Sequence, residues 1–495
     1  MIRHTAHRLR HFAGATRGNV AMIFAVVMIP LTVLSGGAVD VNQALNARTR
    51  LSQALDAAAL AVGVQTSIGD EDATTLARNF LDANYDSRAI GTVVNLAVSL
   101  DHINDRVTVT AQSRVDTIVL GLIGIPEITV GWESEVQRAR RALELVMVLD
   151  NTGSMGGSKI ASLRSAGLLL TDILFDGADV NRLHIGLVPF SSTVNVGTGY
   201  ERAAWLDPNG LSPLHSENFD PPANRWDLYD TIRNRDWTGC VEARAIPHDI
   251  EDTPPSATDP DTLFVPYFAP DESDRGYYSN DYLDDGMGGY DERARMRNSA
   301  KYTQAWVSGA GPGWGCTARP VTPLTNNRTT IDEAIDDMIA SGTTNIPNGI
   351  GWGVRLLSPG EPFTQGSAFG EEDTIKALVV LTDGENVING RGNENYSDYS
   401  GYGYARDGRT GVVTSSSWAL SNALDDRTAA ACDYAKSLGI RVYTITFQVN
   451  SSSTRDMMRD CASNPYLYFD SPSEAALRDA FEMIAGDLTN LRLSR

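Results

Sequence analysis

The sequence predicts an α/β protein: a doubly wound, mostly parallel sheet with large insertions, preceded by an N-terminal transmembrane helix and a small β unit. Three observations carry this expectation. From Leu143 onward, continuously apolar runs of strand length alternate with helix-length segments, as in parallel sheets covered on both faces. One stretch of membrane length near the N-terminus is free of charge. Between these, apolar and polar residues alternate with the period of a half-buried antiparallel strand.

Residues 1–17 form a basic tail with Arg3, Arg8, Arg10 and Arg17 and no acid, and the next charged residue is Asp40. Residues 18–65 read as a transmembrane helix that continues into an Ala-rich helix. Its apolar part begins at Val20 and ends at Val39, 20 uncharged residues that make about 30 Å of helix and match the hydrocarbon thickness of a bilayer. The arginines place the tail in the cytoplasm and everything after residue 40 on the far side. A cleavable secretory signal shares the basic start and apolar core, but no A-x-A site follows the apolar run, which favours an uncleaved anchor. Beyond the span, Val41, Ala44, Leu45, Leu51, Leu55, Ala58, Ala59 and Val62 recur at helical spacing. Such small residues suit packing on the chain's own domain, the plainer reading, and also permit a contact with another membrane subunit. Over 66–141, VVNLAVSL, DRVTVTAQSRV and EITVGWESEVQ are separated by turn residues such as Asn104 and Asp105, a small mixed or antiparallel β unit without evident chemistry.

Residues 142–495 form the main domain. LELVMVLD reads as a buried strand, SKIASLRSAGLLLTDILF as a helix and LHIGLVPF as a strand, and the alternation resumes from TIKALVVLTD to SEAALRDAFEMIAGDL. In such folds ligands bind at the carboxyl ends of strands. The first strand ends in DNTGSMGGS, which puts Asp150, Thr152 and Ser154 in one tight loop ahead of a helix. A carboxylate and two hydroxyls at alternating positions can face one point, and hard oxygen donors suit Mg²⁺, Mn²⁺ or Ca²⁺. Alone, such a loop is no more than a helix cap. SGTTNIPNG adds Thr344, and ALVVLTDGEN brings Asp383 to the end of another buried strand. With these three parts the sequence resembles the von Willebrand factor type A family, whose metal-ion-dependent adhesion site combines D-x-S-x-S, a later Thr in a GT-rich loop and a later Asp after an apolar strand. The resemblance covers 142–495 apart from two insertions, at about 200–325 and 387–418. It implies a metal site of Asp150, Thr152, Ser154, Thr344 and Asp383, Mg²⁺ as the expected ion, and one coordination position left for an acidic group of a partner. Thr152 stands where the family has Ser, which keeps the hydroxyl; GTT in place of GGT makes Thr343 a weaker candidate than Thr344.

Catalytic signatures are missing: the sequence has no H-E-x-x-H, no G-x-x-x-x-G-K-[ST] and no G-x-S-x-G. His102, His184, His215 and His248 form no ligand-spaced cluster, and His184 reads as a core residue of its strand. A metal-dependent hydrolase would lack an evident base. The net charge of −21 argues against nucleic acid as a partner, because phosphate binding needs clustered cations.

Four cysteines allow three pairings, of which Cys240 with Cys316 and Cys432 with Cys461 suits an exported domain. Cys432 and Cys461 sit on neighbouring helices, and the other two in loops near opposite ends of the first insertion. Residues 201–300 hold 21 acidic and 9 basic residues, a net of −12, and their aromatics argue that the insertion folds. Within it, Asp281, Asp285, Gly286 and Glu292 take positions 1, 5, 6 and 12 of an EF-hand-like loop, with Leu283 at position 3 where an oxygen ligand belongs; a solvated acidic loop is the alternative. The second insertion carries Tyr396, Tyr399, Tyr402 and Tyr404, spaced like a recognition loop beside the metal or lying in a disordered one.

The basic tail, the GNVA start, the small-residue exit GGAVD and the Ala-rich helix, followed by a type A domain, resemble TadG-like proteins of tight-adherence (Flp) pilus systems. That resemblance implies a single-pass protein of the bacterial inner membrane with its C-terminal domain in the periplasm. Its expected role is a non-enzymatic, metal-dependent protein-binding component of pilus assembly, with pilus or envelope proteins as partners. Ile23 stands five residues after Gly18, where prepilins carry Glu, so filament-subunit processing is not expected. A surface adhesin binding a host or matrix ligand through the same site is the alternative.

Overall fold

Gly18–Val64 form one helix, α1, in the computed structural model, with Pro30 inside it. The structure describes residues 18–65, 68–101, 106–137, 141–176, 178–276, 278–286 and 292–493. The basic tail, the turn at Asn104 and Asp105, and residues 287–291 of the acidic loop lie outside these. The chain divides into two compact units, one up to Arg140 and one from Arg141.

In the first unit, the N-terminal half of α1 is exposed, apolar and long enough to cross a membrane. Its C-terminal half buries Leu51, Leu55, Ala58, Ala59 and Val62 against Ala73, Ala77 and Leu81 of α2 (Asp70–Asn84) and against Val107, Val109 and Ala111 of a sheet. Three antiparallel strands, β1 (Thr92–Asp101), β2 (Arg106–Asp116) and β3 (Glu127–Gln137), make that sheet in the order β1-β2-β3. β2 alternates buried and exposed residues, as a one-sided sheet requires. The Ala-rich face of α1 is thus occupied by the chain's own α2 and sheet. That occupancy leaves no room for a second membrane subunit at Leu51, Leu55, Ala58, Ala59 and Val62, while Val41 and Leu45 stay exposed. The sequence pattern also missed α2, whose polar first turn, Asp70, Glu71 and Asp72, suits a helix N-terminus but hides its narrow apolar face.

The second unit begins with β4 (Ala142–Asp150), α3 (Ser158–Phe175) and β5 (Leu183–Phe190). The first insertion follows, with β6 (Val194–Asn195), α4 (Arg225–Thr231), β7 (Cys240–Val241) and α5 (Glu292–Arg297), and ends at β8 (Thr322–Thr325). Next come α6 (Arg328–Asp336), α7 (Ile346–Leu357), β9 (Thr374–Thr382), α8 (Ser417–Ser437), β10 (Arg441–Phe447), α9 (Ser452–Cys461), β11 (Tyr468–Ser471) and α10 (Glu474–Leu493). The five strands β11-β10-β9-β4-β5 are parallel in that order; β8 adds antiparallel to β5, and β6 and β7 extend the sheet as an antiparallel ribbon. Side chains alternate between two cores, so the strands read as unbroken apolar runs. Leu145, Met147 and Leu149 face α3, α6 and α10, while Val146 and Val148 face α7, α8 and α9. His184 is half-buried on β5, opposite Glu144 of β4. α7 lies close against the sheet because Gly349 and Gly353 have no side chain: a Cβ there would stand 2.8 Å from Phe190 and 2.6 Å from Leu378.

Disulfides join Cys240 to Cys316 and Cys432 to Cys461, with Cα atoms 5.8 and 5.1 Å apart. The first insertion adds to the core of the domain. Trp205, Phe219, Trp226 and Phe268 belong to the core that contains α7, and Phe264 lies 4.9 Å from Trp352. The second insertion is ordered against the first. Tyr399, Tyr402 and Tyr404 are buried, so the recognition-loop and disordered-loop readings of these tyrosines are both corrected. Tyr402 donates to Asp249 Oδ2 at 2.8 Å, while Tyr399 and Arg409 from the second insertion and Arg225 from the first all bond to the fully buried Glu242 carboxylate.

The calcium-loop reading is corrected as well. Glu292 pairs with Arg275 at 2.9 Å and accepts from Tyr278, Lys301 lies 3.4 Å from Asp285, Leu283 is buried, and no EF-hand helix precedes the loop among the described residues. Nor is the acidity of this insertion simply solvated. Asp249 is bonded to Arg427, Asp271 to Lys301 and Glu272 to backbone amides, all buried. Changing Glu242→Gln leaves Arg225 and Arg409 short of a buried counter-charge. The expected loss is about 3 to 5 kcal/mol, read by urea unfolding of the full chain in detergent. A loss below about 1 kcal/mol would show that the two insertions do not depend on this carboxylate.

Candidate metal centre

The residues from Asp150 to Ser154 leave the carboxyl end of β4 and turn back toward α3. Asp150 Oδ1 accepts from the Thr152 amide at 2.9 Å, and Oδ2 accepts from the Thr382 hydroxyl at 2.8 Å. β9 lies directly beside β4, with Leu149 opposite Leu381, so Asp383 emerges next to Asp150. The Thr152 and Ser154 hydroxyls are 2.9 Å apart, and Ser154 donates to Asp383 Oδ1 at 2.6 Å. Four of the five expected metal residues therefore form one hydrogen-bonded cluster.

Thr344 arrives on the loop before α7. Gly153 donates to the Gly342 carbonyl at 2.9 Å and Ser341 to the Asn151 carbonyl at 2.8 Å, which clamps the two loops together. Gly342 has φ +88°, and a Cβ there would stand 2.8 Å from Thr317 Oγ1. The Thr344 carbonyl accepts from Val387, and Asn345 caps α7 through Asn348 while its amide holds the Ser192 carbonyl at 3.1 Å. Asp150, Thr152, Thr344 and Asp383 are buried and Ser154 is exposed, so the cluster opens at Ser154.

Two participants escaped the sequence reading. Lys159, in the first turn of α3, contacts Asp383 Oδ2 at 2.7 Å; its only sequence signal is a lysine five residues after Ser154. Thr382, immediately before Asp383, fixes the Asp150 carboxylate. Burial first, and then the Asp383 carboxylate, push the Asp150 carboxyl up to about 6. Two carboxylates held together under cover call for a cation, and the remaining donors are hydroxyls. The donor set fits a hard divalent ion. Among the described residues, no group of three His, Cys, Asp or Glu forms a conventional metal cluster. Beside the cluster is a cavity of about 340 Å³ lined by Ser341, Gly342, Thr343, Trp314, Asn389 and Arg391. A larger one, about 650 Å³ between α3 and α10, touches none of the cluster residues.

With β8 at one edge, the six main strands run 3-2-1-4-5-6, and the cluster lies at the carboxyl edge where the order reverses. A sheet of this order defines a doubly wound α/β domain. At the other end of the chain, residues 18–65 match the family described as Putative Flp pilus-assembly TadE/G-like. None of the curated proteins matches the chain. Among solved structures, the chain is similar to the pilus adhesin SpaC from Lactobacillus rhamnosus GG, at 12% identity and TM-score 0.34 over 80% of this chain and 34% of that one. It is also similar to the vWF domain of the type V pili tip protein Mfa5 from Porphyromonas gingivalis, at 10% identity and TM-score 0.35 over 72% and 97%. A third is proximal thread matrix protein 1 from the mussel byssus, with a zinc occupied MIDAS motif, at 11% identity and TM-score 0.31 over 70% and 47%. The chain spans about a third of the length of the SpaC chain.

The raised Asp150 value sets a pH dependence. Its ordinary value is 3.8, so between pH about 4 and about 6 the folded chain keeps a proton that the unfolded chain has released, and stability falls as pH rises through that window. In chelator this amounts to roughly 3 kcal/mol, and Asp150→Asn removes it. Added Mg²⁺ is expected to stabilise the wild type more at pH 7 than at pH 5. Equal slopes for the two chelated proteins in denaturant titrations across this range would show that Asp150 is not the group responsible.

Proposed function

We propose that this chain is an envelope-anchored, non-enzymatic component of Flp pilus assembly that binds a protein partner through a metal ion. Asp150, Thr152, Ser154, Thr344 and Asp383 hold the ion. The observation that carries this reading is the buried carboxylate and hydroxyl cluster at the carboxyl edge of the sheet, in a chain whose N-terminal segment matches a pilus-assembly family. Bound there, Mg²⁺, or Mn²⁺ or Ca²⁺, supplies an electrophilic centre that attracts an external carboxylate, because few direct carboxylates neutralise it.

The chain's own residues do the rest. Thr382 and the Thr152 amide orient Asp150, and Ser154 presents its hydroxyl at the open side. Lys159 neutralises the Asp383 oxygen that faces α3. The clamp between Gly153 and Gly342 ties the loop that carries Thr344 to the loop that carries Thr152 and Ser154. Orientation follows from the arginines of the tail: N-terminus in the cytoplasm and C-terminal unit in the periplasm of a single-pass inner-membrane protein.

Crosslinking and co-purification from cells tests the reading, comparing wild type, chelator treatment and Asp150→Ala. A pilus or envelope partner is expected in the first and lost in the other two. Recovery of the same partners in all three would rule out the metal bridge. Protease digestion of intact cells and spheroplasts adds the location: cleavage is expected only in spheroplasts, whereas cleavage on intact cells would make the protein a surface adhesin.

A further inference from the structure

The connection from β2 to β3, residues 117–126, reads TIVLGLIGIP and holds no charge. Its tip is a 3₁₀ turn, Leu120–Ile123. Ile118 is 70% exposed, Leu122 84%, Ile123 55% and Ile125 47%. A soluble loop of this length seldom presents four large aliphatic side chains together. Its position on α1 explains them. A Cβ on Gly36 would stand 2.5 Å from Val119 and one on Gly37 3.1 Å from Leu120, so the GG pair is what lets the loop lie on the helix. Asp40, itself buried, accepts the amides of Ile118, Val119 and Leu120 at 3.0, 2.8 and 2.8 Å. Gly36 precedes Val39, the end of the uncharged stretch, by three residues, or about 4.5 Å of helix. The loop therefore touches α1 inside the segment whose length matches a bilayer core.

Its backbone also suits apolar surroundings. Of the nine N–H groups in this stretch, at least seven are bonded within the unit: Ile118, Val119 and Leu120 to Asp40, Thr117 to Pro126, Leu122 to Val119, Gly124 to Gly121 and Ile125 to Leu120. The Thr117 hydroxyl is bonded to the Ile125 carbonyl. Backbone groups that leave water need such partners.

We propose that this loop is a second membrane contact: Ile118, Leu122, Ile123 and Ile125 enter the acyl-chain region of the leaflet that surrounds the outer end of α1. The β unit is thereby held at one height on the bilayer. The occupant is lipid because the loop's apolar surface continues that of α1, where Leu34 and Val39 are exposed too. This inference rests on α1 as a membrane anchor.

The test uses the full chain in vesicles of phosphatidylethanolamine and phosphatidylglycerol. All four native cysteines are paired, so an environment-sensitive fluorophore attaches only to an added one. Leu122→Cys probes the loop, Ile29→Cys the helix and Glu133→Cys the exposed face of β3. Each of these positions is exposed, so the labels leave the fold intact. The Leu122 label is expected to shift to the blue and to lose at least half its emission to lipids with a nitroxide high on the acyl chain, as the Ile29 label does to nitroxides placed deeper, while the Glu133 label does neither. Water-like emission at Leu122 with Ile29 quenched would overturn the loop contact alone. Blue emission at Leu122 that nitroxide lipids do not quench would mean that protein covers the loop, which also overturns it. An unquenched Ile29 label would overturn the anchor itself.

Discussion

The register between β4 and β9 governs the candidate site. Side chains alternate along a strand, so a slip of one residue would turn Asp150 to the opposite face of the sheet. The two buried cores leave no such freedom, because every second residue of both strands is committed to one helix layer or the other. Asp150 and Asp383 thus leave adjacent strand ends side by side, and their mutual repulsion must be answered locally. Thr382, the Thr152 amide, Ser154 and Lys159 each answer part of it.

Behind the site, the two insertions act as one body. Glu242 gathers Arg225, Arg409 and Tyr399, and Asp249 gathers Arg427 and Tyr402, so each carboxylate ties together segments far apart in sequence. Both carboxylates are buried and paired with arginine, so this part of the insertions' acidity is internal. Tyrosines that look available to a ligand in sequence are packed, and the rim of the 340 Å³ cavity beside the cluster is built from both insertions.

The first unit is organised by small residues in a different way. Alanines along α1 admit α2 and the sheet, while Gly36 and Gly37 admit the β2 to β3 loop. Asp40, the first acid after the apolar stretch, bonds three loop amides with its carboxylate. A membrane-length helix and a small sheet thus become one unit through contacts that need the absence of side chains as much as their presence.

The apolar runs of β4, β5, β9 and β10 determined the doubly wound sheet from sequence, because parallel strands covered on both faces admit little else. The same order of runs put Asp150 and Asp383 at strand ends, and the uncharged stretch to Val39 marked the membrane-length helix. Lys159 and Thr382 were not legible, since a lysine in a helix and a threonine in a strand carry no signal until folding sets them beside a carboxylate. The fate of Tyr399, Tyr402 and Tyr404 was decided only by tertiary structure, as was that of Glu292, whose partner Arg275 matters more than its place in a calcium-loop spacing. Local pattern reports which face a residue takes along its own element; what that face meets depends on segments that only the fold brings to it.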